Sequence, residues 1–181
     1  MGATKKARVL VTMDCGRSCT YCCNTYRSIM SQMKTVKLDG LAEFDEILIT
    51  GGEPLLYPTR IISILKELRR KCRLTTAIYL YTADIGHVGL RSLLEIIHLT
   101  DGIQYSIHEG ADYKDIEDFE LFQHLIAFGG FDKSFRLYVD PMVDYKINII
   151  PSVWKRVEIK PWIKEEDCKL PEGETLFYLE E

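Results

Sequence analysis

Long apolar runs are missing from this 181-residue sequence, and no stretch approaches the roughly 20 residues that span a bilayer. No Ser-His-Asp set is evident and no glycine-rich loop precedes a lysine, so hydrolase and kinase readings have no residues to rest on. Net charge is small: 23 basic against 27 acidic residues gives −4, which disfavours a domain that grips phosphate backbones. The one basic cluster, Lys66, Arg69, Arg70, Lys71 and Arg73, lies among apolar partners and reads as a solvated helix face. No low-complexity linker divides the chain. A single domain over 1–181 is therefore expected, with its core at about 7–162 and a short tail at 163–181. Asp14 breaks the early apolar stretch before it resembles a signal peptide. Lys6 stands where a myristoylation motif starting at Gly2 needs Ser or Thr, so the expected location is cytoplasmic.

What is present is ordinary globular composition, 46% apolar and 28% charged, arranged with a clear rhythm. Short aliphatic runs at 8–13, 46–50, 77–81, 102–107, 135–139 and 156–159 read as strands. Segments at 58–72, 90–99 and 115–128 repeat apolar residues at helical spacing, and 26–36 reads as a further helix. This alternation predicts an α/β fold of parallel βαβ units, either an open doubly wound sheet or a partial barrel. In both, ligands gather beyond the carboxyl ends of the strands.

The loop after the first strand is Cys15-Gly16-Arg17-Ser18-Cys19-Thr20-Tyr21-Cys22, followed by Cys23. In a reducing compartment, cysteines so crowded point to metal or redox chemistry rather than disulfides. A structural zinc site wants four protein ligands, commonly as separated pairs; three thiols with one position open suit a centre that does chemistry. Cys23 follows Cys22 directly and cannot easily face the same metal. Cys72 and Cys168 stand alone and read as small hydrophobes, and His98 and His124 as helix residues. The acidic stretch Asp112, Asp115, Glu117, Asp118 and Glu120 reads as a solvated helix start.

Cys-x3-Cys-x2-Cys after the first strand, with aromatic Tyr21 before the third cysteine, resembles the radical S-adenosylmethionine superfamily. So does Gly51-Gly52-Glu53-Pro54 behind the second predicted strand. The glycines permit close backbone approach, and Glu53 offers an anionic acceptor for an ammonium group. Thr82 after the third predicted strand and Ser106 and His108 after the fourth are weaker echoes. His108 stands where an Asp is usual and reads as a hydrogen-bond donor or proton carrier. Arg136 and Asp140 share strand parity and are candidate cofactor contacts. Lys160-Pro161-Trp162 ends strand six, where relatives read the adenine.

The resemblance implies α/β architecture as a partial (β/α)6 barrel with a mostly parallel sheet. It implies a [4Fe–4S] cluster on Cys15, Cys19 and Cys22, with S-adenosylmethionine on the fourth iron. Tyr21, Gly51, Gly52, Glu53, Pro54, Thr82, Ser106, Arg136 and Asp140 are then cofactor contacts, and His108 the catalytic candidate. The implied reaction is reductive cleavage of S-adenosylmethionine and hydrogen abstraction by a 5′-deoxyadenosyl radical, with a flavodoxin or ferredoxin as electron donor. No cysteine-rich stretch for auxiliary clusters follows strand six. The substrate is open: glycyl-radical activation of a partner protein, or modification of a peptide or nucleotide. A deazapurine synthase is the alternative, weakened because Cys23-Asn24 replaces the Asp-Thr common there. The remaining alternatives are a zinc-binding module and a cluster-binding module without turnover.

Overall fold

Aliphatic and β-branched runs form the strands, and the computed structural model describes residues 4–180. In chain order the strands are β1 (Lys6–Leu10), β2 (Lys34–Val36), β3 (Glu46–Thr50), β4 (Ala77–Thr82), β5 (Gly102–Ile107), β6 (Arg136–Val139), β7 (Arg156–Ile159) and β8 (Glu174–Leu179). The α-helices are α1 (Arg27–Met30), α2 (Pro58–Lys71), α3 (Leu90–Leu99) and α4 (Tyr113–Phe128). All eight strands are parallel in one open sheet, ordered β2-β8-β1-β3-β4-β5-β6-β7. The expectation about Gly2 lies outside the described residues.

Three expectations change. The helix expected over 26–36 is a single turn, α1, after which β-branched Thr35 and Val36 pair with β8. The expected tail holds β8, inserted between β2 and β1. Its Leu176 faces one side of the sheet while Phe177 and Leu179 both face the other, so both faces gain apolar cover. The first strand also starts earlier than expected, at Lys6, and Val11 extends it by donating to the Thr50 carbonyl at 3.0 Å.

One face of the sheet carries the core. Val9, Ile49, Leu80, Tyr105 and Leu137 meet apolar residues of α2, α3 and α4, among them Leu65, Ile97 and Phe119. Burying each such side chain contributes roughly 1.5–3 kcal/mol. Tyr105 stacks on Phe122 with ring centroids 5.4 Å apart. Its hydroxyl is buried with no hydrogen-bond partner among the described residues. Tyr105→Phe removes only that unpaired group, so a rise in stability of about 1 kcal/mol is expected in thermal unfolding. A drop of that size would mean the hydroxyl is bonded.

Four of the five cations expected on a helix face lie on α2 and Arg73 lies just beyond its end; all are paired, Lys66 with Glu95, Arg69 with Asp101, Arg70 with Glu67, Lys71 with Asp39 and Arg73 with Asp45. They are neutralised within the chain.

The opposite face of the sheet is covered by apolar packing only near β1 and β8, where Leu10, Tyr26, Ile29 and Leu176 cluster. Over β4 to β7 it carries Tyr79, Tyr81, Gln104, Arg136, Tyr138 and Glu158. The β7–β8 connection passes over the rim of this open face. Trp162 stacks on His108, the Tyr26 hydroxyl donates to the Ile163 carbonyl, and Cys168 meets Cys23.

Candidate functional site

Because every strand runs the same way, each strand end delivers its following residues to one rim. The cysteine loop follows β1, Gly51-Gly52-Glu53-Pro54 follows β3, Thr82 closes β4, and Ser106 and His108 end β5. Asp140 follows β6. Arg136 is the exception among the expected residues. It opens β6, and four residues at ~3.3 Å each put its backbone roughly 13 Å from Asp140. Shared parity puts the two on one side; it does not bring them together.

The two glycines serve the chain itself. Gly51 has φ 142°, and a Cβ there would lie 2.3 Å from the Thr12 carbonyl oxygen. A Cβ on Gly52 would lie 2.0 Å from the Asp14 carbonyl oxygen. The space expected for a ligand is filled by the backbone that opens the cysteine loop. Gly52 donates to Thr12 at 2.8 Å and Glu53 to Asp14 at 2.7 Å, and the Asn24 amide closes the other side on the Gly51 carbonyl. The glycines thus seat the thiol loop directly on the Glu53 turn.

Glu53 is 3% exposed. Its Oε1 accepts the Leu55 N–H at 3.0 Å and the Thr82 hydroxyl at 2.7 Å, and Oε2 accepts the Ala83 N–H at 2.8 Å. A carboxylate offers about four acceptor positions, so one remains, on Oε2. Burial raises its pKa despite the three donors, and the charge of Asp84 adds to this. A cation at the remaining position would answer that desolvation. Pro54 is buried at the start of the short turn behind it.

The thiols divide into two sets. Burial pushes Cys19 up to about 11, with Cys22 and Cys15 adding to the rise. Cys15 is exposed at the surface, but partial desolvation of its sulfur and the charges of Glu53 and Cys22 still raise its pKa. Cys23 instead lies 3.5 Å from Cys168, against the apolar cluster at β1 and β8. Among the described residues, no three Cys, His, Asp or Glu side chains are spaced to ligate one metal ion. The donor set nonetheless fits a soft centre: three thiols share a loop, Cys15 and Cys19 harder to ionise beside their neighbours until a cation is bound, and the fourth nearby thiol is engaged elsewhere.

Two side chains that hold the loop escaped the sequence reading. Arg17 makes a two-pronged ion pair with Asp115, Nη1 to Oδ2 at 2.9 Å, and donates to the Ala83 carbonyl at 3.1 Å. Asp115 is therefore no solvated surface residue; it also completes the capping box of α4 with Asp112. The only available signal was the interrupted pattern of a lone arginine between cysteines. Desolvation acts to raise the Asp115 carboxyl, but the Arg17 bond and the Asp112 N–H hold it below its ordinary 3.8. The sign follows: the pair contributes stability above pH 3.8 that is lost as pH falls through the lower folded value. Asp115→Asn should therefore destabilise at neutral pH and flatten the acid limb of a pH–stability curve. An unchanged acid limb would show that the clamp is idle.

His108 stands with Nδ1 3.3 Å from the Cys19 sulfur, its ring 4.6 Å from that of Trp162 at 6°. Burial, with the Arg17 charge, lowers its pKa to about 4, so it is neutral at neutral pH and can donate one N–H to sulfur. Tyr21 packs against the apolar cluster near β1. Ser106 is mostly buried, and Asp140 accepts the Met142 N–H at 2.9 Å. Trp162 Nε1 and Arg17 Nε are buried on this rim without partners among the described residues.

No known family model matches the chain, and no curated protein is significantly similar to it. Among the described residues, no helix is long and apolar enough to cross a membrane.

Proposed function

We propose that this chain is a radical S-adenosylmethionine enzyme, its six consecutive units β1 and β3–β7 forming a partial (β/α)6 barrel to which β8 and β2 are added. The observation that carries the reading is the seating of the three-thiol loop on the Gly51-Gly52-Glu53 turn, through Thr12–Asp14 and Asn24. Cys15, Cys19 and Cys22 would hold a [4Fe–4S] cluster. A cluster held there would supply one-electron reduction of S-adenosylmethionine, the chemistry by which hydrogen would be taken from a substrate.

The chain's own residues bind, orient and shield. Glu53 accepts the ammonium group at its remaining position, held in place by Thr82 and Ala83. His108 donates to the Cys19 sulfur, and its stacking on Trp162 fixes the ring. Ser106 and Asp140 offer a hydroxyl and a carboxylate at the same rim, and Tyr21 an aromatic face beside the third cysteine. Cys15 is exposed, giving a flavodoxin or ferredoxin its approach. The β7–β8 connection across the rim favours a small substrate over a partner protein.

The test is anaerobic reconstitution with iron and sulfide. About four of each per chain are expected. A colourless protein that takes up zinc instead would overturn the reading.

A further inference from the structure

Parallel strands are normally apolar on both faces, because helices cover both. Here β4, β5 and β6 keep that rule on one face only, with Ile78, Leu80, Ile103 and Leu137 in the core. Their other face presents Tyr79, Tyr81, Gln104 and Arg136, all partly buried, with Tyr81, Gln104 and Arg136 side by side on neighbouring strands. Their polar ends still reach solvent, so a ligand with matching groups would replace water there.

Three arginines lie on this face, and they differ: Arg156 is bonded to Glu158 at its outer edge. Arg8 sits over Tyr81, 5.3 Å from its ring centroid, and its Nε donates to Glu174 at 2.9 Å. That cation is matched. Arg136 sits over Tyr79 at 4.8 Å, but among the described residues its N–H groups meet no carboxylate and make no hydrogen bond. Glu158 on β7 bonds Arg156 and Lys160 and feels the Arg136 charge without bonding it, so the donors of Arg136 stay open while its charge is partly answered. The Gln104 amide and the hydroxyls of Tyr79 and Tyr81 also have no hydrogen-bond partner among the described residues.

We propose that the open face of β4–β6 binds a small molecule that joins a flat ring to a carboxylate or phosphate. Arg136 takes the anion, since a guanidinium edge matches either group in two-pronged fashion. Tyr79 and Tyr81 take the ring, and Gln104 reads a polar edge of it. Ser106 is two residues beyond Gln104 on the same face of β5, so the occupant extends from Arg136 toward the rim that holds Glu53 and the thiols. Its being the substrate rests on the proposed function; its being a flat anion does not.

The test uses the full chain in ligand-observed NMR titrations. Guanosine 5′-monophosphate and 4-hydroxybenzoate represent the two sources of such an anion; guanosine and inorganic phosphate are the separate parts. One of the two joined molecules should bind at least about tenfold more tightly than its parts, and which one does identifies the source. Arg136→Ala should remove that gain and Arg136→Lys restore some of it, while Tyr81→Leu weakens the ring-bearing probe only. No preference over the parts, or full affinity in folded Arg136→Ala, overturns the proposal. S-adenosylmethionine is titrated in parallel. If Arg136→Ala loses it together with the probe, this is the cofactor's own site and the proposal falls. If wild-type chain binds the probe but not S-adenosylmethionine, the proposed function falls and this site stands.

Discussion

Cys19→Ala is expected to leave the reconstituted chain without a cluster, whereas Cys23→Ala should retain nearly all its iron and sulfide. The two cysteines lie four residues apart, yet the fold gives them different company. Cys19 shares the loop with Cys15 and Cys22, which raise its pKa in addition to burial, and it faces the His108 imidazole. A cationic centre reverses that repulsion, so the three thiols bind as a set and the loss of one forfeits most of the affinity. Cys23 is buried against Cys168 and the β1–β8 cluster, which raises its pKa strongly and keeps it protonated. Iron and sulfide analysis after anaerobic reconstitution reads the difference. Equal losses in the two variants would overturn the assignment.

Glu53→Gln should be the most damaging isosteric change at the rim. A carboxylate accepts from Leu55, Thr82 and Ala83 at once, whereas a glutamine must turn an NH2 toward one of those donors. Leaving a buried donor unanswered costs about 1–3 kcal/mol, visible in urea unfolding. Losing the charged acceptor should also weaken S-adenosylmethionine binding about ten- to a hundredfold by calorimetry. The pH sign gives a second check. Burial raises the Glu53 pKa in the folded chain, so the folded state binds the proton more tightly than the unfolded state. Stability of the unliganded chain should then fall as pH rises from 4.5 through the folded value. An ammonium ligand should remove that slope, and Glu53→Gln should abolish it without ligand. Unchanged stability and affinity in the variant would refute both roles.

The strands β3 to β7 were legible because short aliphatic runs bounded by Gly, Pro or charge have few other readings. The short edge strand β2 was not, since three residues carry no period and its pairing depends on β8, with partners such as Lys34 and Phe177 far apart in the chain. β8 itself looked like a tail because nothing local says that a strand will slot beside β1. At the site, residue types pointed to Cys15, Cys19, Cys22 and Glu53, and the fold gathers them at one rim. Sequence parity could not tell the two ends of β6 apart, which is why Arg136 was grouped with Asp140. Arg17, Asp115 and Asn24 were hidden for another reason: their roles exist only once the cysteine loop meets α4 and the β3 turn. The glycines were read as room for a ligand, while the fold uses that room for Thr12–Asp14.

The most direct measurement is product analysis after anaerobic incubation of the reconstituted chain with dithionite and S-adenosylmethionine, with and without the anion that the open face binds. The account predicts 5′-deoxyadenosine and methionine in equal amounts, faster with that anion present, and none from Cys19→Ala. A fully loaded chain that binds S-adenosylmethionine and yields neither product under both conditions would contradict it.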